Sequence, residues 1–358
     1  MLRKILLCAI ILLLPLNTCA SDGLNEMIDK ELQKLSTDAF DLVEFKNSFV
    51  EEGELPRVPD ILKRIIDIIF KEAAESIRSL LLLVIPLMLT GVLSNLSLKN
   101  DGVVRLAETV CVLSLTAGVV NTFLSAISVT EATLSELNIM SLSMLPVMYS
   151  LLLSMGRIST YTILHPTVMF LTHFMMNIMT GLLIPAATSG FMLNLSDSIA
   201  EKARFRRISA LLIKLTKWLL IFMISIFVTV LSAQNILTHS FDTVALKGSK
   251  FVVANFVPVV GGAIADGAEA LGSSLLLIKN AAGVAGLVGV AVIVFTPVIR
   301  IFIIGISFYI LSAISQLASM DKLSEVLDIS AGTVNMLGAI VLSTAFLFVI
   351  SIAVMLGG

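Results

Sequence analysis

From about residue 79 onward, apolar residues follow one another in runs too long and too unbroken for the stripe of a soluble amphipathic helix. Eight such runs lie at about 79–98, 106–129, 137–155, 161–184, 210–234, 281–298, 301–318 and 331–356. Each reaches the roughly 18–20 apolar residues needed to cross about 30 Å of hydrocarbon. Two shorter apolar pieces fall at about 186–199 and 251–265. None of the runs shows the period-two alternation of barrel strands. The pattern predicts an all-α polytopic membrane protein with about eight transmembrane helices and one or two re-entrant or broken segments.

The chain divides into three parts: residues 1–20, 21–78 and 79–358. Arg3 and Lys4, the apolar stretch Ile5 to Leu14, and Thr18-Cys19-Ala20 have the layout of a signal peptide with a cleavage site. A signal anchor that stays attached and a lipid-modified Cys19 are the alternatives. Residues 21–78 carry fourteen Asp/Glu against eight Lys/Arg and are expected outside the cytoplasm. Leu24, Ile28, Leu32 and Leu35 repeat at helical spacing, and Asp60 can cap a second helix bearing Ile61, Ile65, Ile68 and Ile69. This stretch is too short for a sizeable core. It reads as acidic amphipathic helices lying on the membrane surface or against a partner.

Composition sharpens the class: 57% hydrophobic and 14% charged, far from ordinary globular usage. Beyond the leader only Cys111 remains, so neither an intramolecular disulfide nor a cysteine metal site is available. Lys/Arg in short loops set orientation. Lys202, Arg204, Arg206, Arg207, Lys214 and Lys217 predict a cytoplasmic end, while the stretch Asp321 to Asp328 is expected outside. Arg157 is also expected inside, so 161–199 must return as a hairpin or re-entrant span hinged near Pro185.

The segment Asn255 to Glu269 is where chemistry is expected. Pro258, Gly261, Gly262 and Gly267 interrupt an apolar piece that ends in Asp266 and Glu269. Unpaired backbone is not tolerated against lipid, so a broken helix implies protein or water beside it. Two acids three residues apart there suggest a cation or proton site along a conduit. The alternative is a hydrated surface position. Lys279, with Asn280 beside it, is either their counter-ion or a side chain snorkelling to the interface.

Other features read as structural. Ala281, Ala285 and Gly289, with Gly286, make a small-residue face for close helix packing. Asn121, Asn177 and Asn335 are mid-span amides suited to interhelical hydrogen bonds. His165, Met169, His173 and Met176 share a helical face that could bind Cu(I), although methionine is common packing material. Pro146 and Pro185 are separated as Pro258 and Pro297 are, a spacing that an internal repeat or chance would give. No phosphate-binding loop, zinc-protease helix or nucleophile elbow is present, so neither an enzyme nor a self-powered pump is expected, and no cofactor.

The segments Phe256 to Asp266 and Ser274 to Asn280, with the acidic prelude and multiple spans, resemble the stage III sporulation protein AE family of endospore-forming bacteria. The resemblance covers essentially the whole chain and is sharpest over 251–300. It implies a permease-like protein of the mother-cell membrane surrounding the forespore. It also implies a channel complex with the other stage III sporulation proteins, AA to AH, and stage II sporulation protein Q, needed for late forespore gene expression and forespore integrity. Membrane lipid is an expected partner and nucleic acid is not; self-association is open. A stand-alone secondary permease and a non-conducting scaffold of the same complex are the competing readings.

Overall fold

The computed structural model describes residues 70, 74, 84–89, 101–155, 157–199, 205–256, 261–317 and 320–357. The expected signal peptide, nearly all of 21–78 and most of the first apolar run lie outside the described residues, as does Pro258. The described residues are almost entirely helical and contain no strand.

Among the described residues, the helical stretch 84–89 is followed by α1 (Asp101–Ser154), α2 (Ile158–Ile178), α3 (Ile184–Ile199), α4 (Arg206–Phe256), α5 (Gly261–Leu317) and α6 (Asp321–Gly357). A π-helical turn, Met179–Leu183, joins α2 to α3 without a break. Five stretches among the described residues are long and apolar enough to cross a membrane: Val112–Ser154, Tyr161–Ser196, Arg207–Gln234, Ser273–Leu317 and Leu323–Leu356. Of the eight expected runs, two pairs are continuous helices, and most of the first run lies outside the described residues.

The runs at 106–129 and 137–155 are both parts of α1, which at 1.5 Å per residue is about 81 Å long. The polar interval between them contains neither Gly nor Pro. Its two threonine hydroxyls are satisfied within the helix: Thr130 donates to the Ala126 carbonyl at 2.8 Å, and Thr133 to Val129 at 2.7 Å. A dip in hydropathy therefore passes without a break in the ladder. The runs at 281–298 and 301–318 merge in the same way into α5, with Pro297 inside the helix.

The turn expected near Pro185 is a π-turn instead. Proline lacks an N–H, and its ring excludes the carbonyl four residues back, here that of Gly181. The chain accommodates this by a wider turn in which the Ile184 N–H donates to the Met179 carbonyl, five residues back. Gly181 faces open space, so nothing opposes the widening. The 161–199 region is accordingly one bulged helix and not a hairpin.

The core is a bundle with α6 at its centre, touching α1, α3, α4 and α5. The α5–α6 pair is the most extensive packing in the molecule. Small residues make it close: Ala281, Ala282 and Ala285 are fully buried, Gly286 meets Ile352 and, from α1, Met144, and Gly338 meets Ile301. At the connecting end the Ser312 hydroxyl donates to the Ser324 carbonyl at 2.8 Å, pinning the first turn of α6 to α5. Phe123 of α1 stacks on Phe191 of α3 with ring centroids 3.6 Å apart. Leu87, from the first apolar run, is also fully buried in this core.

The internal repeat is not reproduced. The break after α1, between Met155 and Arg157, would fall inside the unbroken α5 if the prolines marked equivalent units. Pro146 and Pro297 each sit inside a helix.

Candidate functional site

The segment nominated by the sequence straddles two helix ends. Residues 251–256 complete α4, and Gly261, Gly262, Asp266, Gly267 and Glu269 lie in the first turns of α5. From Gly261 to Leu317 the helix is continuous, so among the described residues no break separates the two acids from Lys279 and Asn280. Continuity fixes a distance. Lys279 stands ten residues beyond Glu269, about 15 Å along a helix axis, which is too far for an ion pair within α5.

Lys279 does something else. Its side chain is 1% exposed, so it does not snorkel. Its ammonium Nζ donates to the Leu356 carbonyl at 3.1 Å. The last carbonyls of a helix have no partner within the helix and carry partial negative charge, which suits a cation. Gly283 lies one turn further along the same face, and a Cβ there would collide with the Leu356 side chain. The middle of α5 and the end of α6 are thus held by one polar and one apolar contact.

Asn335 departs from its expected role. Its Oδ1 is buried without a hydrogen-bond partner and sits where a Cβ on Gly305 would be. It packs an amide against a glycine instead of bridging helices. Asn177 and Asn121 are exposed. The histidine–methionine face does not converge either: His173 is exposed whereas Met176 is buried, and no metal-ligating group of three or more acidic, His or Cys side chains exists among the described residues.

A polar concavity lies elsewhere. A cavity of about 600 Å³ opens between α3, α4, α5 and α6. Its charged and polar lining comprises Asn194, Ser209, Lys214, Lys217, Tyr309, Glu325, Asp328 and Thr333. Most of these stand near helix ends, the C-terminal turn of α3 and the N-terminal turns of α4 and α6, so the cavity is at one end of the bundle. Two lining hydroxyls are committed to backbone. Ser209 donates to the Gly190 carbonyl at 2.6 Å, tying α3 to α4, and Thr333 to Ile329 at 2.8 Å. Asn194 is 6% exposed, and its Nδ2 has no hydrogen-bond partner.

This arrangement corrects the charge-based orientation. Lys214 and Lys217 were expected on the cytoplasmic side and the Asp321–Asp328 stretch on the other. Both line one cavity, which cannot bridge about 30 Å of hydrocarbon. Basic and acidic clusters therefore share one end of the molecule. The sequence showed both clusters but not that helix packing brings them together. Asn194 had no local signal at all.

A family model described as Stage III sporulation protein AE matches residues 40–358. Stage III sporulation protein AE of Bacillus subtilis (strain 168) is 23% identical over 298 residues, covering 82% of this chain and 74% of that protein. No solved structure is significantly similar.

Proposed function

This chain belongs to the stage III sporulation protein AE family and is a sporulation membrane protein; from that premise we propose that it is the permease-like subunit of a channel complex between mother cell and forespore. In this reading it sits as a multi-pass protein in the mother-cell membrane surrounding the forespore. It works with the other stage III sporulation proteins, AA to AH, and stage II sporulation protein Q. It carries no catalytic residue, and any energy comes from a partner or a gradient. A signal peptide would place residues 21–78 outside the cytoplasm, where their acidic helices meet partners.

The observation that carries a conducting role is the polar cavity. At one end of a bundle of long apolar helices, the exposed Lys214, Lys217, Glu325 and Asp328 line a concavity of about 600 Å³. Concavities between the helices of a bundle are where small-molecule sites are commonly built. The α4–α5 junction, with Gly261, Gly262, Asp266, Gly267 and Glu269, is the second element of the proposed conduit. The test replaces the chromosomal copy in the producing organism with Asp266→Asn or Gly262→Leu. Protein that accumulates normally while late forespore gene expression fails supports conduction. Normal spores from both variants overturn it for this segment.

A non-conducting scaffold is the second reading, favoured by the continuity of α5 from Gly261 to Leu317. Deleting 21–78 would then abolish assembly while substitutions at Asp266 and Glu269 stay neutral.

A further inference from the structure

The charges around the α3–α6 cavity are sorted by helix. Asn194 of α3 and Lys214 and Lys217 of α4 supply hydrogen-bond donors, two of them cationic. Glu325 and Asp328 of α6 supply carboxylates, and Tyr309 of α5 stands with them. All four of these charged side chains are exposed at the mouth of the cavity, where water lets opposite charges stay apart. Lys214, Lys217 and Asp328 form no ion pair among the described residues. The Asn194 Nδ2, on a side chain withdrawn from bulk solvent, also lacks the acceptor that a buried amide requires.

We propose that this cavity is a binding site for a small zwitterion of the α-amino-acid class. The solute carboxylate is taken by Asn194 and the lysines, and its ammonium by Asp328. A lone anion would leave the carboxylates facing it unfavourably, and a lone cation would do the same to the lysines. A molecule with both charges satisfies both walls at once. The volume suits such a solute, since small-molecule pockets run about 300–1,000 Å³. The proposal stands apart from the channel reading, because binding is a property of the purified chain and needs no complex.

The experiment is equilibrium dialysis of the purified full chain in detergent with radiolabelled alanine, glutamate and lysine. Acetate, methylammonium and inorganic phosphate serve as competitors. At least one amino acid should bind saturably, and acetate and methylammonium should compete at least about ten-fold more weakly, each lacking one charged contact. Asp328→Asn and Lys217→Met should each weaken binding about ten-fold or more for the same reason. Lys217→Arg, which keeps the charge, should bind like the natural chain and shows that loss in the methionine variant is not misfolding. No saturable amino-acid binding overturns the proposal. So does binding that survives both charge-removing variants, or competition by acetate or phosphate as strong as by the amino acid itself.

Discussion

Lys279 in the middle of α5 donates a hydrogen bond to the carbonyl of Leu356, 77 residues later and in the last turn of α6. A fully buried ammonium is costly unless it is paired, and here the unpaired carbonyl end of a helix supplies the acceptor. The contact depends on Gly283, because only a residue without Cβ lets the Leu356 side chain lie so close.

Gly283→Ala should therefore displace Leu356 and leave the Lys279 ammonium without its acceptor. Overpacking alone costs about 1–3 kcal/mol, and the lost polar contact adds about 1–2 kcal/mol at the scale of interhelical hydrogen bonds in membrane proteins. In a Lys279→Met background only the packing part should remain. Thermal unfolding of the four proteins of this cycle in detergent measures the difference, and additive effects would refute the coupling.

Gly305 and Asn335 should be coupled with the opposite outcome. Gly305→Ala places a Cβ on the Asn335 Oδ1 and should destabilise by about 1–3 kcal/mol. Asn335→Ala removes a buried carbonyl that has no partner, and the double variant also gains the helix propensity of alanine, about 1 kcal/mol. The double variant should melt at or above the natural chain. Melting below either single variant would show that the Asn335 amide has a role the packing does not reveal.

Phe123→Ala should cost about 3–5 kcal/mol, because both rings of the Phe123–Phe191 stack are fully buried and the cavity cannot close. Phe123→Leu should recover most of that. Equal losses from the two substitutions in chemical or thermal unfolding would count against tight α1–α3 packing.

Side-specific labelling checks the shared end of the bundle. In a Cys111→Ser background, Lys214→Cys and Asp328→Cys should react with an impermeant maleimide from the same face of sealed vesicles, since both positions line one cavity. A short bifunctional maleimide should join them in the doubly substituted chain. Labelling from opposite faces would separate α4 and α6 and restore the charge-based orientation.

Helices were legible in the sequence because lipid leaves no other solution for long apolar runs. The small-residue face at Ala281 and Ala285 was legible for the same reason: it is a local pattern with one use. Helix ends were not. Glu131 and Glu136 lower hydropathy without disturbing the backbone, and Thr130 and Thr133 satisfy themselves on the helix, so polarity in α1 does not signal a turn. Pro185 was recognised as a disturbance, but sequence does not say whether a proline turns the chain or widens it. The cavity was least legible of all. Asn194, Lys217 and Asp328 come together only through the packing of three helices, and nothing near any one of them names the other two.

A π-turn carries one residue more than an α-turn over nearly the same rise, so Met179–Leu183 is equivalent to one inserted codon held in place by its flanks. Losing a residue elsewhere in these helices would rotate everything beyond it by about 100°, the angle of one residue at 3.6 per turn. Such a rotation would swing Phe191 off Phe123 and Asn194 out of the cavity. Losing Gly181 together with Pro185→Ala, which removes the ring that forces the wider turn, would instead shrink the bulge to an ordinary turn and leave α2 and α3 in phase. Among the described residues, this bulge is a place where chain length can change by one without rewriting the bundle.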